Sequence, residues 1–225
     1  MFLSCSIHHF ADARAWAEVA ADRLATALTH ALARHPTTVL MVPGGRTATA
    51  VLPVLAGTEL PWRRVIITLA DERCLPTSHP DSNEGLVRRL LGPRLEGGAA
   101  AATLAGLYRP DETPARAALR LGALPRPFGA VLLGMGEDGH IASLFPGDPA
   151  NADPGPMALV QRPDHPRLTW TPQFLTDTRA LVLAFAGATK AALLERALAD
   201  GLPADLPVRH VLRAGATVLV HGKAQ

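Results

Sequence analysis

The sequence has little of what several classes of protein require. It contains two cysteines, Cys5 and Cys74, which form no C-x-x-C pair, so neither a disulfide framework nor a zinc knuckle is indicated and a cytoplasmic location is expected. Aromatic residues make up 4% of the chain and no run of Lys or Arg exceeds two, which argues against a nucleic-acid partner. No window approaches the roughly 18 apolar residues of a membrane span, so no membrane partner is expected.

Short apolar runs alternate with helical patterns along the 225 residues. The runs "TTVLMV", "RVIITLA", "FGAVLLG", "ALVLAFAG" and "ATVLVHG" lack polar alternation, which is typical of strands buried on both faces, and "MFLSCSIHHF" predicts a further strand. Residues 10–34 and four later segments have helical periodicity. We therefore predict an α/β fold with a mostly parallel sheet covered by helices on both faces, one domain over residues 1–225, and loops at 92–103 and 146–156.

Polar segments follow four of the predicted strands. They read "PGGRT", "DER", "GEDGH" and "GATK" in chain order. Ligands of open parallel sheets bind outside the carboxyl ends of the strands. The sequence therefore predicts that these four loops meet at one edge of the sheet and form a site.

The "PGGRT" loop, residues 43–47, lies between a predicted strand and a predicted helix. Glycines there let backbone N–H groups approach an anion at the positive end of the helix dipole. Because the loop lacks the pattern of a nucleotide P-loop, the expected anion is a monophosphate. An ordinary glycine turn explains the same residues equally well. Arg167 in "PRLTWT" and Lys190 after "GAT" are candidates for the balancing positive charge.

The segment "DERCLPTSHPDSN" begins with acidic residues at the end of a predicted strand. Such an acid is able to bind sugar hydroxyls or to take up protons. The alternative is structural, with Asp81 or Ser82 capping a helix that begins near Asn83. We favour the cap for one of these two residues.

The segment "GMGEDGHIASLFPG" contains G-x-G-x-x-G, the spacing of a dinucleotide-binding loop. That interpretation fails because Pro146 stops the long helix it requires and Asp138 would face the phosphates. The alternative is that the glycines present His140 at the start of a short helix, close to Asp138. A helix N-terminus favours neutral imidazole and a carboxylate favours imidazolium, and these opposed effects suit a general base. A metal site is weakly indicated, since no H-x-x-x-H or H-E-x-x-H pair occurs.

Taken together, these loops resemble the 6-phosphogluconolactonase family, which is related to the glucosamine-6-phosphate deaminases. The resemblance is most specific in "DERCLPTSHPDSNEGLVRRLL" and "GMGEDGHIASLFPG". It implies a modified Rossmann sheet of the deaminase and ribose-phosphate-isomerase type. It also implies hydrolysis of 6-phosphoglucono-1,5-lactone in the pentose phosphate pathway, with no cofactor and no metal. The expected partner is the sugar-phosphate lactone, and the expected assembly is a monomer or a small homo-oligomer.

The resemblance also implies roles for individual residues. His140 would be the general base that activates water, Asp138 would orient it, and backbone N–H groups of the glycine turn would stabilise the oxyanion. Asp71 and Arg73 would line the sugar pocket. The residues implied in phosphate binding are Gly44, Gly45, Arg46, Thr47, Arg167 and Lys190.

The chain departs from the family pattern at two positions and excludes two alternatives. Arg46 replaces a usual serine and Cys74 replaces a usual tryptophan. An amino-sugar-phosphate deaminase or isomerase would need a glutamate five residues beyond the histidine, where this chain has Phe145. A non-catalytic sugar-phosphate sensor of the transcription-regulator type would need a DNA-binding segment, for which we expect no room in 225 residues.

Overall fold

A seven-stranded sheet forms the centre of the protein in a computed structural model that describes residues 5–222. The strands, in chain order, are β1 (Ser6–Phe10), β2 (Thr38–Val42), β3 (Val65–Leu69), β4 (Asp71–Arg73), β5 (Thr103–Ala105), β6 (Ala130–Leu133), β7 (Met157–Val160), β8 (Arg167–Trp170), β9 (Leu181–Ala186) and β10 (Thr217–His221). The large sheet has the order β1-β10-β9-β6-β2-β3-β5, and each adjacent pair is parallel. The predicted parallel sheet is therefore confirmed, although residues 1–4 of the predicted first strand lie outside the described residues.

The central strands of this sheet are covered on both faces. Every residue of β2 and of β6 is buried, as are the first five residues of β9. These strands consist almost entirely of Val, Leu, Ala and Met, and they lack the polar alternation of a half-exposed strand. The buried apolar side chains of strands and helices form one continuous cluster that includes Trp170, Phe128 and Leu24.

Helices supply the cover. They are α1 (Ala13–Leu32), α2 (Gly45–Ala56), α3 (Asn83–Leu95), α4 (Pro114–Gly122), α5 (Pro172–Thr176), α6 (Ala188–Leu198) and α7 (Val208–Arg213). Helices α1, α2 and α3 pack in sequence against one another, while α5 and α6 both contact α7. Within residues 5–222 no helix combines the length and the apolar character that crossing a lipid bilayer would require.

The sequence did not predict a second, smaller sheet. Strand β8 pairs antiparallel with β4 on one side and with β7 on the other. The short polar strand β4 reads "DER" and therefore has no hydrophobic period to recognise. The predicted loop at 92–103 is also partly wrong, because α3 continues through Pro93 to Leu95 and β5 begins at Thr103.

Candidate active site

The four predicted loops meet in a cleft of about 510 Å³ at the carboxyl end of the large sheet. The convergence predicted from the strand order is thus confirmed. All ten residues that the sequence analysis selected line this cleft: Gly44, Gly45, Arg46, Thr47, Asp71, Arg73, Asp138, His140, Arg167 and Lys190.

The N-terminus of α2 opens onto the cleft. Gly44 is its N-cap residue and supplies no side-chain cap, so the N–H groups of the first helical turn are left for a ligand. The Thr47 hydroxyl donates to the backbone carbonyl of Ala184 at 2.9 Å, so its proton is already used. The Arg46 side chain is 83% exposed and lies 3.7 Å from Glu137. This helix therefore offers an anion its backbone N–H groups and the exposed Arg46 guanidinium.

A buried carboxylate fixes the second loop beneath the cleft. Glu72 accepts hydrogen bonds from the backbone N–H groups of Arg73, Asn83 and Glu84 and from the Ser82 hydroxyl. Burial raises the pKa of Glu72, and these hydrogen bonds offset part of the increase. Ser82 caps α3 by accepting from the Gly85 N–H, which confirms the predicted cap. The loop is thus held at both of its ends.

Asp71, at the start of this loop, is buried and fully engaged. Its carboxylate accepts hydrogen bonds from the Ser143 hydroxyl at 2.5 Å and from the Asn83 side-chain amide at 3.3 Å.

Cys74 follows two residues after the predicted acidic pair and is half-buried. Burial raises the pKa of its thiol, and the charge of Glu72 adds to the increase. The thiol is therefore kept protonated beside the base of the cleft.

Two arginines face each other across the small sheet. Arg73 of β4 and Arg167 of β8 are direct cross-strand partners, an arrangement in which like charges repel. Arg73 donates to the backbone carbonyl of Asp81, and Arg167 binds the Asp164 carboxylate at 2.6 Å. The Nε atoms of both arginines are nevertheless buried without a hydrogen-bond partner among the described residues. Both arginines line the cleft, and their unpaired N–H donors make this side of it a candidate anion site.

Lys190 adds a further positive charge from the first turn of α6. Burial lowers the pKa of Lys190 and nearby Arg46 lowers it further, while Glu137 and Asp138 act in the opposite direction. An anion bound in the cleft would relieve both the desolvation and the repulsion. The four cations of the cleft thus come from two helices, α2 and α6, and from the paired strands β4 and β8.

His140 and Asp138 form a hydrogen-bonded pair in the cleft. Nδ1 of His140 lies 2.6 Å from Oδ1 of Asp138, and the same oxygen accepts the His140 backbone N–H at 3.1 Å. Burial acts to raise the pKa of Asp138, but the backbone hydrogen bond, the charge and the ring hydrogen bond of His140 outweigh it, so the pKa is lowered. An ionised Asp138 only accepts hydrogen bonds, so Nδ1 carries the proton and Nε2 of the neutral ring is the basic atom.

Glycine makes this pair sterically feasible. A side chain at Gly136 would place its Cβ 2.1 Å from Nδ1 of His140 and 2.7 Å from Oδ1 of Asp138. Gly139 has φ +86°, a left-handed conformation that side chains disfavour. The N–H groups of both glycines are engaged, with the His140 carbonyl and the Gly136 carbonyl respectively. These two N–H groups are thus not free for an oxyanion, and the expectation that the turn supplies oxyanion donors rests on its other backbone N–H groups.

The predicted short helix at His140 is also wrong. Residues 141–144 form a turn in which Ile141 and Leu144 make an isolated bridge. Ala142 has φ +49°, which is incompatible with a right-handed helix, and the Ser143 backbone N–H donates to the Thr169 hydroxyl. The imidazole therefore does not stand at the start of a helix, and its direct hydrogen-bond partner is the Asp138 carboxylate.

Phe145 packs directly against the imidazole ring of His140. Its ring centroid lies 4.6 Å from that of His140, and the Arg162 guanidinium carbon lies 3.9 Å from the Phe145 centroid. Arg167 approaches the same ring at 5.6 Å. Phe145 is 7% exposed and thus separates the imidazole from bulk water on one side. Sequence reasoning noticed Phe145 only as the replacement for an acid, because its contacts arise from tertiary packing.

Other residues of the site were not selected from the sequence. Asn83 joins two loops, because its amide donates to the Asp71 carbonyl while a Cβ at Gly44 would meet its side-chain oxygen at 1.9 Å. Outside the cleft, the ligand atoms of His79, Asp81 and His165 lie within 4.8 Å of one another. These three residues show no local metal-binding spacing, because His165 is far from the other two in the chain.

A parallel sheet with a cationic cleft and a histidine–carboxylate pair at its carboxyl edge defines an α/β protein with a candidate site for a small anion beside a candidate general base. The chain belongs to the family described as glucosamine-6-phosphate isomerases/6-phosphogluconolactonase, whose model matches residues 11–220. The resemblance inferred from the motifs is thereby confirmed.

Several known proteins resemble the chain over most of its length. A 6-phosphogluconolactonase from Pseudomonas aeruginosa is 42% identical over 211 residues, covering 88% of this chain and 87% of that protein. One from Rhizobium meliloti is 38% identical over 229 residues and covers 96% and 97% of the two chains. The crystal structure of a 6-phosphogluconolactonase from Shewanella baltica has a TM-score of 0.89 at 29% identity, covering 99% of this chain and 100% of that one.

Proposed function

We propose that the protein hydrolyses 6-phospho-D-glucono-1,5-lactone to 6-phospho-D-gluconate, with His140 as the general base. The observation that carries the proposal is the presence of a His140–Asp138 pair and an unsatisfied cationic surface in one cleft. A sugar-phosphate lactone has a phosphate that needs cations and a carbonyl that needs an activated water. The names of the relatives support this substrate.

The phosphate is held by donors from three directions. The free Nε–H groups of Arg73 and Arg167 lie on the small sheet, the first-turn N–H groups of α2 come from a second side, and Lys190 from a third. A phosphate dianion bridging the two arginines removes their mutual repulsion and satisfies both buried donors, so we assign Arg73 to the phosphate and not to the sugar pocket expected from the sequence. Asp71 has its carboxylate fixed by Ser143 and Asn83 and borders the space for the sugar hydroxyls.

The chemistry follows from the protonation state of the pair. Nε2 of His140 takes a proton from water as the water oxygen attacks the lactone carbonyl carbon, while Asp138 holds Nδ1–H and stabilises the imidazolium. Donors of the cleft that do not hold the phosphate stabilise the charge that develops on the carbonyl oxygen. When the ring C–O bond breaks, the imidazolium returns its proton to the leaving ring oxygen. The product carboxylic acid then ionises and releases one proton to solution.

The family includes isomerases as well as lactonases, so the alternative activity needs its own argument. A deaminase of the pattern considered above needs an acid where this chain has Phe145. The Phe145 ring is packed between His140 and Arg162 and carries no group able to transfer a proton. Phe145 therefore favours hydrolysis of a lactone over deamination of an amino sugar.

The function is tested with freshly generated lactone in weak buffer, where proton release is followed with an indicator dye against the spontaneous rate. The purified protein should accelerate acid release and should release no ammonia from glucosamine 6-phosphate. A rate equal to the spontaneous rate would contradict the lactonase proposal, and ammonia release without acid release would replace it with the deaminase. Heat-denatured protein at the same concentration is the control for buffer effects.

A further inference from the structure

A cluster of metal-ligating side chains lies beside the cleft and takes no part in the proposed hydrolysis. It consists of His79, Asp81 and His165. Nδ1 of His79 and Nε2 of His165 lie 3.9 Å and 3.7 Å from Oδ2 of Asp81. Two imidazole nitrogens and one carboxylate oxygen form the donor set of three-ligand zinc sites. We propose that these three residues bind one Zn²⁺ ion, with water as the fourth ligand.

Two of the three separations are close to those that zinc requires, and the ligand nitrogens of His79 and His165 lie within 4.8 Å of each other. Metal–ligand bonds of about 2.0–2.2 Å place the ligand atoms of a tetrahedral site about 3.3 Å apart. The two observed separations from Oδ2 therefore need a contraction of roughly 0.5 Å. The side chains of His79, Asp81 and His165 are 37%, 59% and 30% exposed and stand on loops, so they are free to make this small adjustment.

The protonation state of His79 also suits a metal. The Asp81 backbone N–H donates to Nδ1 of His79 at 3.1 Å, so this nitrogen carries a lone pair and no proton. A metal requires an unprotonated nitrogen, and the ion would replace this single hydrogen bond on the exposed side of the loop. The His165 ring approaches the His79 ring edge to face, with centroids 5.6 Å apart.

The neighbouring cations are engaged with other oxygens and leave the Asp81 carboxylate to the imidazoles. Arg73 donates to the backbone carbonyl of Asp81, and Arg167 binds the carboxylate of Asp164. The Arg167–Asp164 ion pair has a length of 2.6 Å, so the Arg167 guanidinium is directed away from Asp81. The cluster is therefore separate from the anion-binding donors.

A bound ion would connect two segments that border the cleft. His79 and Asp81 follow β4, and His165 precedes β8. All three residues therefore lie near the end of the β4–β8 strand pair at which Arg73 and Arg167 stand opposite each other. None of the three ligands lines the cleft itself. Zinc would thus fix the backbone positions of Arg73 and Arg167 without contacting the substrate, whatever that substrate is.

The test is equilibrium binding of Zn²⁺ to tag-free, chelator-treated protein, measured by calorimetry and by thermal unfolding. We expect one ion per chain in the wild type, at least tenfold weaker binding in His165→Ala and in Asp81→Asn, and unchanged binding in His30→Ala, a matched control on α1. His140→Ala should also bind normally, because it alters only the other histidine–carboxylate pair. At free zinc of about 100 times Kd, the unfolding equilibrium constant should fall about 100-fold in the wild type.

Three results would overturn the proposal. The first is the absence of wild-type binding up to about 1 mM zinc, which would leave only an affinity too weak for a specific site. The second is equal binding by His165→Ala. The third is loss of the ion in His140→Ala, which would place it in the cleft. Unfolding midpoints in chelator show whether each variant is folded. His79→Gln provides a second, milder removal of a ligand if His165→Ala is destabilised.

Discussion

Replacing Asp138 by asparagine separates the orientation of His140 from the simple presence of a histidine. The carboxylate makes two hydrogen bonds to this residue, one of them a 2.6 Å contact with Nδ1. Hydrogen bonds to charged groups contribute about 1.5–3 kcal/mol, which corresponds to about 10-fold to 150-fold in rate. An asparagine amide is also able to donate to Nδ1, which would leave the proton on Nε2 and remove the base. In a serine protease triad the equivalent change costs about 10⁴-fold.

We therefore expect kcat of Asp138→Asn to fall by about 10²-fold to 10⁴-fold, with KM changed less than about threefold. The assay is proton release from fresh lactone, corrected for the spontaneous rate. Glu137→Gln is the matched control, because it removes a neighbouring negative charge of the cleft without touching the imidazole. If Asp138→Asn kept more than a third of wild-type kcat, or if Glu137→Gln lost as much, the role given to Asp138 would be refuted.

Three further changes test other parts of the account. Gly136→Ala should lower kcat by at least about 10²-fold, because the added Cβ would displace both His140 and Asp138, and thermal unfolding checks that the variant is folded. Gly92→Ala in α3 is the control: its added Cβ meets nothing within 4 Å, so kcat should be unchanged. Arg167→Ala should raise KM by about 10-fold to 150-fold with little change in kcat, and an unchanged KM would remove Arg167 from phosphate binding. Burial and then Arg213 lower the pKa of His210 to about 4 from 6.5, so the unfolded chain binds a proton that the native chain does not between these pH values. The free energy of unfolding in urea should accordingly fall as the pH decreases from 6.5 towards 4, and it should fall less steeply in His210→Gln; equal slopes would exclude His210 as the cause.

The large sheet was predictable because its strands carry a direct signal. Segments such as "TTVLMV" and "ALVLAFAG" are apolar at every position, which is the pattern of a strand covered on both faces. The small sheet was not predictable, since "DER" becomes a strand only by pairing with β8, nearly a hundred residues later. Pairing between distant short segments leaves no period in the sequence.

The composition of the cleft followed from chain order, but several roles inside it did not. Asp71, His140 and Lys190 each follow the end of a parallel strand, so they lie at the same edge of the sheet independently of their side-chain contacts. The hydrogen bond from the Thr47 hydroxyl to β9 and the left-handed turn at Ala142 depend on tertiary packing. Sequence reasoning therefore assigned Thr47 to phosphate binding without this bond and placed His140 at the start of a helix. The cluster of His79, Asp81 and His165 was missed for the same physical reason, because the fold alone brings these side chains together.

Hydrolysis by His140→Ala tests the central claim most directly. His140 is the one residue that the mechanism requires to accept a proton from water, and His9→Ala, exposed on β1, is the control for loss of a histidine. With fresh lactone, His9→Ala should match the wild type, whereas folded His140→Ala should lose most of the acceleration over the spontaneous rate while still binding the phosphorylated product. Wild-type kcat in His140→Ala would contradict the account.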